Sequence, residues 1–384
     1  MTDTFYRMTP MEIALGWVFG QVEAPPRPER VFGSAREALE DVILQSLARP
    51  PCGVAFSGGR DSSAVLAIAA RVARREGLPD PIPITRVFVE APRAEERAWQ
   101  ELVVEHLGLR DWQRIHFTDE LDVLGPFATN QLRRFGLLWS PLVYVDAPLL
   151  ELVRGGALID GEGGDEVLGH QWHRIRPIAE LWRRSPSPGA IKQALRAGAP
   201  RLLRTRHVRR RESRQPTPWL KPPGREAWIR GHAEMEHDSV LSFARSVRQI
   251  ASRRAVVHMT RTRRALAETY AASFDSPLLA PAVVDALARE GGFLGPGPRT
   301  VVLGSLVGDL LPEALLARET KAEFGEAYLA GPSRAFARSW DGAGLDAELV
   351  DPAGLRSAWL AERVPAPTIS LLQAAWLAAQ PTER

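Results

Sequence analysis

The chain has 384 residues, of which 45% are apolar and 25% charged, a balance typical of globular proteins, and its length favours two domains. The net charge of +3 is too small to indicate a nucleic-acid partner, and no stretch approaches the ~20 apolar residues that a membrane span needs. A single cysteine, Cys52, excludes an internal disulfide and argues against a cysteine-based zinc site.

The first 48 residues are predicted to form a short lead-in, with a proline-rich break at residues 25–28 and a helix over residues 34–48. The N-terminus carries Asp3 and Arg7 without an apolar signal segment, so we expect a cytoplasmic protein. Cys52 begins the first predicted strand, where a small buried side chain is a simpler interpretation than a nucleophile.

Residues 49–176 are predicted to form an α/β domain in which strands alternate with helices. The predicted strands cover residues 53–56, 84–89, 114–117 and 157–160, and the predicted helices cover residues 62–76, 95–107, 127–138 and 145–153. Gly77 is placed to end the first of these helices. Strands separated by helices indicate a doubly wound parallel sheet, whose ligand binds at the carboxyl ends of the strands.

Residues 177–225 form a segment rich in arginine and proline, with seven arginines from Arg201 to Arg214. This segment permits two interpretations: a basic surface for an acidic or peptide partner, and a solvated, partly mobile insertion, which we favour. Residues 226–384 are predicted to be helical to the end of the chain, with helices at residues 227–252, 255–272, 281–290 and 299–310.

The most informative segment is residues 54–63, where an apolar strand leads through a small, glycine-rich turn into a helix. Gly58 and Gly59 let the backbone approach an anion, and the helix N-terminus directs its free N–H groups and positive dipole end at the same point. Ser57 and Ser62 add hydroxyl donors, and Asp61 is a candidate ligand for a magnesium ion that bridges phosphate oxygens. The alternative is a tight turn that caps an ordinary strand–helix unit.

This loop differs from the P-loop of kinases and GTPases, whose Gly-x-x-x-x-Gly-Lys-Ser/Thr pattern would place a lysine here. The Ser-Gly-Gly-x-Asp-Ser pattern instead resembles the pyrophosphate-binding loop of the ATP-pyrophosphatase superfamily. Members of that superfamily split ATP into AMP and pyrophosphate while they activate a carbonyl or carboxyl oxygen. The resemblance implies that the loop from Ser57 to Ser63 binds phosphate.

A second glycine-rich loop follows the strand predicted at residues 157–160 and reads Asp-Gly-Glu-Gly-Gly-Asp-Glu over residues 160–166. Gly163 and Gly164 are candidate nucleotide-binding residues. If both strands belong to one sheet, Asp61 and Asp165 face a shared site. Two carboxylates suit Mg²⁺, which prefers few protein ligands together with substrate phosphates. An acidic glycine turn alone is usually only a turn, and its pairing with the first loop favours the functional interpretation.

Lysine is rare in this chain, with Lys192, Lys221 and Lys321 against 46 arginines. Lys321 lies in an Arg-x-x-Lys-x-x-Phe motif that begins at Arg318, about 260 residues after the first loop. A lysine ammonium is a compact charge suited to pyrophosphate oxygens and to negative charge that develops during attack on an acyl group. The alternative is a solvated lysine near a helix end, and the order of the three elements favours the functional interpretation.

That order resembles the synthetase domain of class B asparagine synthetases and of their natural-product relatives, β-lactam synthetase and the lasso-peptide macrolactam synthetases. The resemblance covers roughly residues 35–335. It implies an ATP-pyrophosphatase or adenine nucleotide α-hydrolase-like fold, with a C-terminal region that is mostly helical.

The resemblance also implies roles for individual residues. Asp61 and Asp165 match the aspartates that hold magnesium, and Lys321 matches a lysine that contacts the phosphates and the reacting centre. Arg318, in the same motif, is a candidate catalytic residue with it. Glu162 stands where asparagine synthetases carry a glutamate assigned to the incoming amine, and a carboxylate there can accept a proton from that amine.

Three departures from the family pattern bear on the substrate. Position 2 is Thr2, where glutamine-dependent asparagine synthetases have a nucleophilic cysteine, and only about 50 residues precede the first loop, so we expect no use of glutamine within this chain. The usual Phe-Gly-Gly-Tyr is Leu-Gly-His-Gln at residues 168–171, and Pro-Phe-Leu-Asp is Pro-Leu-Leu-Ala at residues 277–280, without its acid. These differences argue against aspartate as the substrate and leave the adenylation chemistry in place.

The sequence therefore predicts a ligase that uses ATP and Mg²⁺ to adenylate a carboxylate, releases pyrophosphate and then AMP, and couples the acyl group to an amine. The first choice is a lasso-peptide-type or other natural-product macrolactam synthetase, with a small-molecule or peptide carboxylate as substrate and a precursor peptide and its processing protease as partners. The alternatives are an amidating enzyme that takes free or partner-supplied ammonia, and a catalytically inactive nucleotide-binding partner protein. A tRNA-modifying adenylating enzyme is disfavoured by the acidic second loop and by the lack of cysteines.

Overall fold

The computed structural model describes residues 4–23, 28–168, 173–183, 187–318, 322 and 324–381. Within these residues, one sheet of five parallel strands has the order β3-β2-β1-β4-β5. The strands are β1 (Cys52–Ala55), β2 (Ile82–Phe88), β3 (Gln113–Phe117), β4 (Ala157–Ile159) and β5 (Ser273–Asp275). The doubly wound parallel α/β fold predicted from the alternating pattern is confirmed.

Helices surround this sheet and form most of the second half of the chain. Those before β5 are α1 (Pro10–Leu15), α2 (Ala35–Leu47), α3 (Arg60–Arg75), α4 (Arg97–Leu107), α5 (Pro126–Phe135), α6 (Ala147–Leu152), α7 (Arg176–Arg183), α8 (Pro188–Gly198), α9 (Arg201–Glu212), α10 (Pro222–Asp238), α11 (Phe243–Ala251) and α12 (Arg254–Glu268). Those after β5 are α13 (Pro281–Gly291), α14 (Arg299–Val307), α15 (Glu313–Leu316), α16 (Gly325–Tyr328), α17 (Gly331–Ser339), α18 (Pro352–Leu360) and α19 (Ile369–Ala378).

Neighbouring residues of the central strands enter different hydrophobic cores, because successive side chains of a strand point to opposite faces of the sheet. Val54 and Ile159 belong to a core that includes α2, α3 and α13. Leu158 belongs to a second core that includes α6 and α12. The central strands are therefore covered on both faces, as is usual for parallel sheets.

Local signals place several elements in the first half of the chain close to their observed bounds. Ser34 caps α2 by accepting a hydrogen bond from the Glu37 backbone N–H at 3.1 Å. Gly77, with φ of +66°, lies just past the end of α3. Cys52 is buried, and this burial raises the pKa of its thiol to about 12, which confirms a structural side chain rather than a reactive thiolate.

The structure corrects three parts of the sequence-based outline. The helix expected over residues 227–252 is two helices, α10 and α11, and the helix expected over residues 145–153 is a 3₁₀ turn at Val143–Asp146 followed by α6. The region predicted to be helical to the end of the chain contains β5, which pairs with β4. A strand of three residues is too short for its alternation to be recognised in the sequence, so tertiary pairing alone reveals it.

The described part of the arginine-rich segment is helical, which the sequence did not predict. Helix α9 packs against α10, and Arg204 is buried at this contact. The Arg204 guanidinium donates to Glu236 Oε1 at 2.8 Å and to the Ala199 carbonyl at 3.3 Å. This ion pair anchors α9, although most of its other arginines are exposed.

A further core joins the two ends of the chain. It contains Leu15 from α1, Trp359 from α18 and Leu371 from α19, all at most 4% exposed. The predicted lead-in therefore packs against the C-terminal helices. Among the described residues, no helix has the length and apolar character needed to cross a membrane.

Candidate active site

A cavity of about 480 Å³ opens at the carboxyl edge of the sheet. The two glycine-rich loops meet there because β1 and β4 are hydrogen-bonded neighbours, with Gly53 opposite Leu158. Loops that follow adjacent parallel strands emerge at the same edge, which is where open α/β sheets bind their ligands. The volume of the cavity lies within the range of sites that bind small molecules.

The first loop has the backbone that its glycines require. Gly58 has φ of +84°, and a Cβ atom there would lie 2.8 Å from Gln100 Cγ. Gly59 is the N-cap of α3 and has no side chain to accept hydrogen bonds from the first turn of that helix. The first turn, from Arg60 to Ser62, lines the cavity, so its N–H groups are suited to an anion.

The serines of this loop hold its conformation. The hydroxyls of Ser57 and Ser62 lie 3.0 Å apart, and the Ser63 hydroxyl donates to the Gly59 carbonyl at 2.8 Å. Ser57 and Ser62 line the cavity, whereas Ser63 is fully buried beneath the turn. Phosphate binding by these serines remains a prediction.

The glycines of the second loop are explained by its contact with α3. A Cβ atom on Gly161 would lie 2.6 Å from the Ser62 backbone nitrogen, and one on Gly164 would lie 2.1 Å from Asp61 Cγ. Any larger residue at either position would push the two loops apart. Gly163 adopts φ of +95° and contacts Leu279, so the loop is packed from both sides.

Asp61 and Asp165 line the same cavity, and the expectation that they face one space is confirmed. Arg299, the first residue of α14, joins them: its guanidinium donates to Asp165 Oδ1 at 2.6 Å and to Asp61 Oδ2. Burial raises the pKa of Asp61 above its ordinary value in spite of this arginine. Nothing in the sequence distinguished Arg299 from the other arginines.

The donor set fits the predicted magnesium ion. Asp61 Oδ1 is buried and has no hydrogen-bond partner, so it is an oxygen that a cation would satisfy. Among the described residues, no group of three or more histidine, cysteine, aspartate or glutamate side chains is arranged to hold a metal. An ion at Asp61 and Asp165 would therefore take its remaining ligands from phosphate and water, as Mg²⁺ commonly does. Their role as ligands remains a prediction.

Glu162 lies on the cavity wall within a buried network around Arg263. The Arg263 guanidinium donates to Glu162 Oε2 at 2.9 Å and to Asp160 Oδ2 at 3.1 Å, and its Nε lies 3.2 Å from Asp146 Oδ2. Arg86 donates to the other Asp146 oxygen at 2.7 Å. Because one guanidinium serves three carboxylates, it fixes Glu162 against the wall.

Glu166 also lines the cavity, one residue beyond Asp165. Burial, and to a smaller extent the neighbouring Glu162 carboxylate, raises the pKa of Glu166 to about 7. Its charge therefore changes near neutral pH, unlike that of an exposed glutamate.

Arg318 lies in the cavity wall and is 7% exposed. It forms a buried ion pair with Glu96 and donates to the Gly58 carbonyl at 3.1 Å, so it connects the first loop to the C-terminal half of the chain. Its guanidinium also lies over the Trp99 ring, at 5.0 Å from the centroid. Lys321 lies outside the described residues, as do three of the four residues of the Leu-Gly-His-Gln segment.

Five charged side chains that line the cavity outside the two glycine-rich loops were missed by the sequence analysis. They come from five separate parts of the chain: Arg86, Glu96, Asp146, Arg263 and Arg299. No motif marks them, and three of them are the residue type that is commonest among the cations of this chain. Their shared feature is an ion-pair partner in the cavity, which only the tertiary structure supplies.

A model of the asparagine synthase family matches residues 34–376, which include both glycine-rich loops, the Arg263 network and Arg318. The chain belongs to the asparagine synthase family. Members of this family are ATP-dependent ligases that typically use Mg²⁺. The chain has no match among curated proteins.

Proposed function

We propose that this member of the asparagine synthase family is an AMP-forming amide ligase. The observation that carries the proposal is the single cavity in which the Ser-Gly-Gly-Arg-Asp-Ser loop and the Gly-Glu-Gly-Gly-Asp-Glu loop meet, with Asp61 and Asp165 joined through Arg299. Phosphate-binding backbone and acidic side chains at one sheet edge suit a nucleoside triphosphate and a divalent cation.

In the proposed first step, an oxygen of the substrate carboxylate attacks the α-phosphorus of ATP, and the bond from that phosphorus to the β-phosphate oxygen breaks. The N–H groups of the first turn of α3 and the lysine at position 321 stabilise the departing pyrophosphate. Magnesium, held by Asp61 and Asp165, would neutralise the phosphate charge. This activation is needed because a free carboxylate is a poor electrophile.

In the proposed second step, an amine attacks the acyl carbon, loses a proton, and displaces AMP as the C–O bond to the phosphate breaks. We assign the proton to Glu162, because Arg263 holds this carboxylate on the cavity wall. Arg318 is assigned a positioning role, since its contacts are with Glu96 and the Gly58 carbonyl. Positioning and charge stabilisation would supply most of the rate enhancement.

The proposed substrate is a peptide or other natural-product carboxylate with its own amine, as in a lasso-peptide-type macrolactam synthetase. The turn at Pro277–Leu279 supports this choice, because Leu279 packs on Gly163 and the next residue is Ala280 instead of an aspartate. An apolar turn there offers no carboxylate to the ammonium group of free aspartate. The proposed partners are a precursor peptide and its processing protease.

The test is ATP–pyrophosphate exchange, screened with amino acids, other small carboxylic acids and candidate precursor peptides. We expect exchange with a peptide or natural-product acid, release of AMP and pyrophosphate, and an intramolecular amide as product. The matched control is Asp61→Asn, a nearly isosteric change that should abolish exchange without unfolding the protein. A Lys321→Ala variant should lose turnover with little change in melting temperature.

Other outcomes would select a different function. Exchange with aspartate, followed by amide formation from added ammonia, would support the asparagine synthetase-like alternative. ATP binding without exchange for any acid would support an inactive nucleotide-binding partner. Formation of ADP and phosphate instead of AMP and pyrophosphate would refute the adenylation mechanism.

A further inference from the structure

Arg299 occupies the position between the two carboxylates that are proposed to bind magnesium. Its guanidinium contacts one oxygen of Asp61 and one of Asp165, and its side chain is 19% exposed. Within the described ranges, it is the cation at ion-pair distance from both carboxylates. The three residues come from α14, α3 and the second loop, so this contact joins three separate parts of the chain at the cavity.

Two carboxylates brought together in a partly buried site repel each other unless a cation lies between them. Asp61 and Asp165 are 21% and 34% exposed as side chains, so solvent screens their repulsion only in part. Arg299 removes this repulsion in the protein without nucleotide. A divalent cation would remove it equally well, because it would bind the same two carboxylates, with the unpartnered Asp61 Oδ1 beside the Oδ2 that Arg299 contacts.

A guanidinium and a divalent cation cannot both stay on this pair of carboxylates, because two positive charges only a few ångströms apart repel strongly. The cation can therefore enter only if Arg299 leaves. Leaving is unfavourable unless another anion accepts the guanidinium, and phosphate oxygens form bidentate pairs with arginine. The first turn of α3, which includes the Asp61 backbone, is where the first loop would hold such phosphates.

We propose that Arg299 is a placeholder cation, which keeps Asp61 and Asp165 paired until the phosphates of a nucleotide draw it away and let the divalent metal bind. Metal and nucleotide then bind with positive coupling, and the metal alone binds weakly. The proposal rests on the proposed function in one respect, that Asp61 and Asp165 are the metal ligands. It makes Arg299 a positioning residue for Asp61 and Asp165 until nucleotide and metal bind.

The experiment measures Mn²⁺ binding to the full chain by the loss of the electron paramagnetic resonance signal of free Mn²⁺. Wild-type protein is compared with Arg299→Gln, with and without α,β-methylene-ATP. After subtraction of the Mn²⁺ that the analogue binds in protein-free solution, we expect wild-type protein to bind Mn²⁺ at least tenfold more tightly with the analogue than without it. We expect Arg299→Gln to bind Mn²⁺ alone at least tenfold more tightly than wild type does, and to gain less than wild type from the analogue.

The matched control is Arg60→Gln, which removes a positive charge from the same cavity wall but from a residue with no described ion pair to Asp61 or Asp165. Its Mn²⁺ affinity should rise by no more than about threefold over wild type, because Arg60 acts on Asp61 and Asp165 only through space and does not occupy their oxygens. Equal gains in Arg60→Gln and Arg299→Gln, or no gain in Arg299→Gln, would overturn the proposal. Adding Asp61→Asn to Arg299→Gln should remove the gain.

Two further measurements keep the proposal testable if Arg299→Gln does not fold. Wild-type protein with and without the analogue still reports the coupling, and Arg299→Lys, which keeps the charge but lacks the two-pronged geometry, should give an intermediate Mn²⁺ affinity. Tight Mn²⁺ binding by nucleotide-free wild-type protein would refute the placeholder role. Failure of ATP–pyrophosphate exchange with every acid would count against the proposed reaction only, because Mn²⁺ coupling does not depend on turnover.

Discussion

The arginines of the cavity and those of α9 are the same residue type in opposite settings. Arg263, Arg299 and Arg318 are each held by buried or partly buried carboxylates that come from distant parts of the chain. Arg206 and Arg210 on α9 are exposed and have no described ion pair. The comparison shows that arginine density in the sequence does not mark the site, and that each cavity arginine is instead held by carboxylates about a hundred residues or more away in the chain.

The largest effect is expected for Arg263→Gln. This change leaves Asp146, Asp160 and Glu162 without their shared cation, and loss of one partner of a buried ion pair costs roughly 3 kcal/mol or more. Urea unfolding followed by tryptophan fluorescence should show the loss of stability. A loss below about 1 kcal/mol would mean that the three carboxylates find other partners or solvent. Arg263 would then contribute no more to stability than an exposed arginine of α9.

Arg318→Gln should give the next largest effect, because it leaves Glu96 buried without its partner and frees the Gly58 carbonyl. We expect a loss of about 2 kcal/mol in the free energy of unfolding and a higher KM for ATP. The double variant Glu96→Gln/Arg318→Gln should recover part of the stability but not the KM, since the loop stays unanchored. Recovery of both the stability and the KM for ATP would mean that Arg318 only neutralises the charge of Glu96.

A pH-dependent effect is expected for Glu166→Gln. The folded pKa of Glu166, about 7, lies above that of an exposed glutamate, so the folded protein favours the protonated form. The contribution of Glu166 to the stability of the wild-type protein is therefore greatest below about pH 4 and declines as the pH rises to 7. Glutamine mimics the protonated acid at every pH. Without metal at pH 8, the melting temperature of the Glu166→Gln variant should therefore exceed that of wild type by about 2 °C or more.

The control for this pH effect is Glu151→Gln on α6. Glu151 is exposed and paired with Arg154, which lowers its pKa, so no gain at high pH is expected. If Glu166→Gln and wild type melt alike at pH 8 and at pH 4, burial at Glu166 does not raise its pKa.

The smallest effect is expected for Arg206→Gln/Arg210→Gln on α9. Both side chains are exposed, so the free energy of unfolding should change by less than about 0.5 kcal/mol, and exchange activity with small acids should not change. Reduced activity with peptide substrates alone would support the interpretation of α9 as a basic surface for a peptide. A large loss of stability would contradict the claim that the exposed arginines of α9 contribute less to stability than those of the cavity.

Much of the first half of the chain could be predicted because its signals are local. The cap at Ser34 depends on a side-chain hydroxyl, and the turns at Gly58 and Gly77 depend on positive φ angles that few residues other than glycine adopt. The strand β5 and the division between α10 and α11 could not be predicted in this way. Their bounds depend on packing against β4 and against other helices, which leaves no periodic pattern in the sequence.

The candidate site likewise has one part that the sequence predicts and one part that it does not. The sequence alone determined the two glycine-rich loops, the acids Asp61 and Asp165 and the asparagine synthase family, because close approach and backbone turns restrict which residues stand side by side. Only the tertiary structure decided that Arg299 lies between those acids and that Arg263 holds Glu162. Ion pairs across about a hundred residues or more depend on distances in space, and one arginine in a sequence looks like any other.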